Sequence, residues 1–547
     1  MTAGVRQQPR GAGSPRPRPG ARAGLVGWLT GLALLAGVGY RLWLLGHAAP
    51  PTNSDEATMG LAALHIARGA DFPVWFYGQQ YMGTLEAYLA APVFALAGGP
   101  SLLGLRLPTL ALYALFLLLA WRLTLRLTGD RWFGLLVVAL LALGSDRVVK
   151  NQLIAGGGYP EMNAAGVALA LLALDLATGR PGRRLVRWAA WGFLAGLMLW
   201  VDPLVLPYVL ATGGVLVAFC RRDLGGAAGG LLAAATVLGA APLLAHSLLT
   251  GRNPLHAVLA ASGSDATAGW AERLHGGLLL GPPLGMGFCA PGRCATWQLW
   301  WALALPVLLA VAAATAWRVM RRPPAAQGAG PSPRAAAAMR LALVLAAVAT
   351  LGAYTMSSAA GLTPVESSRY LSCLLISLPA VLWPLWTAAR RAAAPGGAGW
   401  KQPGGWTLAR PVALVVLAAT VGTAVHATWR SAQTAPATRA AEARHAELVT
   451  TLRQLGVRQV RGGYWTCNRL TFASAEEVVC AVVDDTLRPG FDRYPAYRRE
   501  VERAAAPAWV TPTGSPLAAR LDERLRAAPG SLDLVTLDGW RIYLPRT

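Results

Sequence analysis

Lysine is almost missing from this chain of 547 residues; it stands only at Lys150 and Lys401. Neither lysine follows a glycine, so no Gly-Lys-Ser/Thr phosphate loop exists and a P-loop ATPase is excluded. Charge of any kind is scarce: Asp, Glu, Lys and Arg make up 14% of residues, against roughly 25% in soluble domains. Cysteine occurs 6 times and histidine 7 times. No Cys-x-x-Cys or His-rich spacing is present, so no metal site is forced, although a divalent cation is not ruled out. What fills the chain is apolar. Hydrophobic residues make up 54% and the mean hydropathy is +0.42. The net charge of +23 invites a nucleic-acid reading, but the arginines sit where membrane topology places them. The composition is that of a polytopic α-helical membrane protein.

Residues 1–22 are rich in Arg, Pro and Gly without apolar periodicity, and read as a disordered basic tail. The first apolar run, Ala23–Leu45, is longer than a signal-peptide core and reads as a retained helix, with Ala48-Ala49 as the rival cleavage site. Further crossings are expected near Leu102–Trp121, Trp132–Gly144, Met162–Ala177, Trp188–Val201, Pro203–Cys220, Gly225–Leu248, Trp297–Trp317, Leu341–Ser357, Leu371–Ala388 and Pro411–Thr428. With the N-terminus inside, the cytoplasmic segments hold 23 Arg and Lys and the opposite loops hold 7. The positive-inside rule therefore puts the loop after the first helix outside. The expected setting is the plasma (inner) membrane, with residues 23–428 as the transmembrane domain.

Residues 429–547 change character. From Arg430 onward there are 17 Arg and 13 acidic residues. Ala440–Leu455 reads as a helix. Val457–Val460 and Val478–Val483 read as strands, and Leu532–Leu537 with Trp540–Leu544 reads as a hairpin turned at Asp538-Gly539. A small extracytoplasmic α/β domain is expected. Cys289 with Cys294, and Cys467 with Cys480, are close in sequence and on the outside, so each pair is able to bridge in an oxidising compartment.

The first outside loop carries Asn53-Ser54-Asp55-Glu56, then Asp71, Tyr77, Gln79, Tyr81 and Glu86. Paired carboxylates beside lipid are costly to place. Ser54 is a good N-cap for a helix over Ala57–Ala67, with Asp55 and Glu56 in its first turn, so capping alone accounts for the pair. The functional alternative rests on the polar and aromatic groups that follow, which suit a sugar; an interfacial aromatic belt is their bland alternative. Two further outside segments carry cations and acids: Ser145–Gln152 with Lys150, continuing through Gly156-Gly157-Gly158 to Tyr159 and Glu161, and Val365–Leu371 with Arg369 and Tyr370.

The order of basic tail, first helix, outside Asp-Glu and Tyr77-Gly78-Gln79-Gln80-Tyr81-Met82-Gly83-Thr84-Leu85-Glu86 resembles the GT-C glycosyltransferases that use polyprenyl-phosphate sugars. Within them the chain is most similar to glycosyltransferase family 39, the protein mannosyltransferase and aminoarabinose-transferase-like group. The resemblance covers about Leu25 to Thr428. It implies a lipid-phosphate sugar donor, transfer with inversion, Asp55 as base with Glu56 beside it, and Glu161 as a second acid with Asp146 as the alternative. It also implies that Arg369 grips the lipid phosphate. The acceptor would be an envelope glycan, lipid or protein. A lipid-linked sugar transporter is the competing function, and a non-catalytic relative is another. Transporters tend to hold ionisable groups at the membrane midplane and show internal repeats, whereas here the acids gather in the outside loops.

Overall fold

A computed structural model describes residues 21–251, 267–322, 333–390 and 409–546. The basic tail, up to residue 20, lies outside the described residues. The membrane part opens with α1 (Ala21–Gly46), then α2 (Ser54–Ala67), α3 (Leu85–Ala97), α4 (Leu102–Thr128), α5 (Arg131–Ala142) and α6 (Asp146–Leu153). It continues with α7 (Tyr159–Ala177), α8 (Arg184–Val201), α9 (Leu206–Leu224), α10 (Ala227–Gly239) and α11 (Ala241–Thr250). After several short turns come α12 (Trp300–Met320), α13 (Pro333–Met356), α14 (Leu378–Arg390) and α15 (Ala409–Ala432).

Among the described residues, 8 helices are long and apolar enough to cross a membrane, and up to 10 spans result if each of two bent pairs counts as one. All the expected crossings lie in helices. The one outside that tally is α8, and it is fastened to α10 by glycines. A Cβ on Gly196 would sit 2.0 Å from the Thr236 carbonyl oxygen, and one on Gly239 would sit 2.2 Å from that of Phe193. The two backbones approach as closely as small residues permit.

The expected crossing at Trp132–Gly144 coincides with α5, and a bend follows at its end. The chain turns by 89° between α5 and α6. Arg41, fully buried on α1, explains the turn. Its guanidinium donates to the Ala142 carbonyl, to that of Leu143 at 3.0 Å, and to Gln152 Oε1 on α6 at 2.7 Å. It also stacks 4.3 Å from the Tyr113 ring centroid. The carbonyls freed where α5 ends are thereby satisfied without water.

The C-terminal domain begins with α16 (Ala435–Gln454) and contains α17 (Tyr464–Ala473), α18 (Pro495–Arg503) and α19 (Pro516–Ala527). Its strands are β1 (Gln459–Gly462), β2 (Val479–Val482), β3 (Ala508–Pro512), β4 (Leu532–Leu537) and β5 (Trp540–Pro545), in the order β2-β1-β3-β5-β4. The β2-β1-β3 pairs are parallel and the β3-β5-β4 pairs antiparallel. One face packs Val460, Val510 and Ile542 on Leu448 and Leu452 of α16; the other packs Trp509 and Tyr543 on Leu517 and Leu521 of α19. The hairpin turns at Gly539, whose φ of +80° suits glycine. Cys467–Cys480 ties α17 to β2, and Cys289–Cys294 closes a loop before α12. Cys220 and Cys373 are buried and free.

Candidate active site

Asn53 sets the start of α2. Its backbone is extended (φ −134°, ψ 176°) and its side chain accepts from the Glu56 amide at 2.8 Å. The cap is therefore Asn53, not Ser54. Ser54 instead binds the C-terminal domain, donating to the Tyr464 carbonyl at 2.7 Å and accepting from Asn468 Nδ2 at 2.8 Å.

Asp55 and Glu56 have opposite environments. Asp55 Oδ1 accepts from the Tyr464 hydroxyl at 2.7 Å and from Arg493 Nη2 at 2.9 Å. Its side chain is 24% exposed. Oδ2 takes neither bond, so the carboxylate is held by one oxygen and open at the other. Glu56 points into the protein. Arg106 Nε meets Oε1 at 2.7 Å and Nη2 meets Oε2 at 2.6 Å, with both side chains at 0% exposure. Sealed from solvent and saturated by one guanidinium, Glu56 cannot reach a substrate hydroxyl. It locks α2 to α4.

Arg493 comes from just before α18 and is the group that the sequence reading missed. Its Nε donates to the Tyr464 hydroxyl at 2.6 Å, its Nη1 to the Tyr77 carbonyl at 3.3 Å, and its guanidinium lies 4.6 Å from the Phe76 ring centroid. The C-terminal domain thus supplies the two groups that orient Asp55.

Tyr77 does not present its ring to a sugar. Its hydroxyl donates to Asp71 at 2.9 Å and meets His65 Nδ1 at 2.7 Å, and its ring packs 4.8 Å from that of Tyr494. His65 Nε2 and the Tyr497 hydroxyl both bind Glu476 Oε1, at 2.8 and 2.7 Å, and Arg68 pairs with the same carboxylate. This network clamps the C-terminal domain to the first loop. Burial alone would raise the Glu476 pKa, but the hydrogen bonds from His65 and Tyr497 and the charges of His65 and Arg68 outweigh it, so it lies below the ordinary 4.5. A depressed carboxylate stabilises above its unfolded pKa and loses that contribution as pH falls through the folded value. Acidification below about pH 4.5 should therefore loosen the clamp. Limited proteolysis should cut between the domains sooner there, and Glu476→Gln should cut as fast at neutral pH as wild type does in acid.

The triple glycine lies between the first loop and the end of α8. A Cβ on Gly156 would stand 3.3 Å from the Glu56 amide nitrogen. Gly158 has φ +69°, and a Cβ there would stand 3.2 Å from Asp202 Cβ. Glu86 Oε2 accepts from the Gly157 amide at 3.3 Å. Glu86 and Glu161 are 2% and 3% exposed, and Glu86 Oε1 and both Glu161 carboxylate oxygens are buried without a hydrogen-bond partner among the described residues. Burial, then the charge of Glu161, lifts the Glu86 carboxyl well above its ordinary value. Two carboxyls buried in one site disfavour double ionisation. Among the described residues no group of three or more His, Cys, Asp or Glu has the geometry of a metal site.

Arg369 stands over the rings of Tyr159 and Tyr370, 6.0 and 5.5 Å from their centroids. Its charge acts on Asp55 and Asp202. Its Nε is buried with no hydrogen-bond partner. Tyr81 lies in the combined field of Tyr370, Arg493, Arg369 and Asp202. Gln79, in the same loop, has a buried Oε1 without a partner. Lys150 is not a free cation: it pairs with Asp146 at 3.0 Å along α6.

No protein-family model matches this chain, and no curated protein matches it. Solved structures do. ArnT from Cupriavidus metallidurans bound to undecaprenyl phosphate is similar with a TM-score of 0.54 and 13% identity, over 96% of this chain and 98% of that one. The fold is GT-C. The apo oligosaccharyltransferase of Archaeoglobus fulgidus is similar with a TM-score of 0.50 and 12% identity, over 89% of this chain and 69% of that one. On this GT-C frame, Asp55, Glu86 and Tyr159 adjoin the triple glycine and Arg369 lies over Tyr159 and Tyr370, while Glu56, Tyr77 and Lys150 serve contacts of their own.

Proposed function

We propose that the chain is an inverting membrane glycosyltransferase. It moves a monosaccharide from a polyprenyl-phosphate donor to an envelope glycan, lipid or protein acceptor, on the membrane face opposite its N-terminus. One observation carries this reading: a carboxylate tethered by a single oxygen lies in the field of a buried arginine with an unused donor. The similarity to ArnT, solved with undecaprenyl phosphate bound, supports the donor class.

The chemistry follows from those groups. A hydroxyl is a weak nucleophile, and Asp55 Oδ2 is free to take its proton as it attacks. Tyr464 and Arg493 fix the carboxylate, so no reorganisation is needed when the proton moves. Arg369 stabilises charge on the departing phosphate. A guanidinium suits that task because it is always charged and offers a fork of donors. Attack opposite the leaving phosphate gives inversion.

Mass spectrometry of envelope glycans from cells with and without the protein should show loss of one monosaccharide modification. Identical envelopes would count against the proposal.

A further inference from the structure

A second cavity lies behind α2, on the side away from Asp55. Successive helical residues turn by about 100°, so Ala57, two residues on, faces the opposite side of the helix. Ala57, Thr52, Glu442, His445, Arg469 and Phe472 line a cavity of about 200 Å³. Its walls come from both domains: the start of α2 and the turn before α4 on one side, α16 and α17 on the other. Ser101 and Ala473, both exposed, form its mouth. Three polar atoms of its lining residues are buried without a hydrogen-bond partner among the described residues: Thr52 Oγ1, His445 Nε2 and Arg469 Nε. His445 is only 2% exposed. An unpaired buried donor or acceptor is costly. Three around one cavity call for an occupant that supplies their partners.

The chemistry of the walls selects that occupant. Glu442 and Arg469 are the charged residues of the lining, and they satisfy each other at 2.9 Å. Burial, then the Arg469 charge, lowers the His445 pKa, so its ring is neutral at physiological pH. A net charge placed there would be desolvated without a counter-ion. What stays free is a guanidinium N–H, a hydroxyl and a ring nitrogen, a set that both donates and accepts. Phe472, 7% exposed, adds an aromatic wall. A sugar ring matches both features, with hydroxyls around its rim and C–H groups on its faces. The volume suits one small unit, being below the roughly 300–1,000 Å³ of pockets for drug-sized ligands. We infer that this cavity holds one neutral sugar residue, at a saccharide site separate from the site of transfer. Because its walls belong to both domains, the occupant stabilises their docking by mass action.

The test uses the full chain in lipid nanodiscs. The probes are the methyl glycosides of glucose, galactose and mannose, with glycerol phosphate as a charged counterpart, and binding is read by saturation-transfer NMR. At least one glycoside should bind at millimolar concentration, more tightly than glycerol phosphate, and should slow proteolytic cutting between the domains. Thr52→Val, which removes one hydroxyl at constant shape, should weaken binding about fivefold. Ala473→Leu, which fills the mouth from an exposed position, should weaken it about tenfold or more. Asp55→Asn should bind the glycoside as the wild type does. No glycoside binding at millimolar concentration would mean that water alone fills the cavity, and would overturn the inference. Tighter binding of glycerol phosphate than of every glycoside would also overturn it, as would unchanged proteolysis with glycoside bound or unchanged binding in Ala473→Leu. Loss of binding in Asp55→Asn would move the glycoside to the site of transfer and overturn it as well.

Discussion

Asp55→Asn should abolish sugar transfer while leaving the protein at its normal level in the membrane. The amide keeps an oxygen for Tyr464 and Arg493, and the cap at Asn53 is untouched, so α2 should form as before. The amide cannot accept the acceptor proton. Loss of an aligned general base lowers rates by about 10²–10⁴-fold. Transfer of labelled sugar, normalised to protein by immunoblot, reads this directly. Full activity at normal abundance would remove Asp55 from the chemistry and leave it as a first-turn acid on α2.

The neighbouring residue should fail in the opposite way. Glu56→Gln leaves Arg106 charged, dry and unpaired, and breaking such a pair costs about 3–5 kcal/mol. Membrane abundance and the unfolding temperature in detergent should both fall. Arg106→Met should do the same by stranding Glu56. Because an apolar replacement of both partners is often tolerated, Glu56→Leu combined with Arg106→Met should be more stable than either single change. A stable but inactive Glu56→Gln protein would return Glu56 to the catalytic machinery. On the proposed mechanism the two adjacent acids separate into one chemical and one structural role, and membrane abundance of the two variants tells them apart.

What could be read from sequence was what local pattern specifies. The apolar runs became helices, and the hairpin at Asp538-Gly539 formed where turn chemistry required it. Strand β3 was missed because Ala508–Pro512 is short, follows an alanine run and is framed on both sides by strands distant in sequence. The bends after α5 and α10 were also hidden. Apolarity marks a span but not its direction, and the first bend depends on Arg41, about a hundred residues upstream. The site shows the same division. Asp55 and the triple glycine stood out locally. Arg493 and Tyr464 reach Asp55 across 438 and 409 residues, and an arginine among many carries no local signal. Tyr77 misled because its hydroxyl partners, Asp71 and His65, belong to a clamp completed by Glu476 and Tyr497.

Release of the carrier is the most direct measurement. Purified protein in liposomes, given a labelled polyprenyl-phosphate sugar and an envelope acceptor extract, should free one polyprenyl phosphate for each sugar transferred, and only when acceptor is present. Donor that crosses the bilayer intact, with no free polyprenyl phosphate formed, would identify a transporter and contradict catalysis at Asp55.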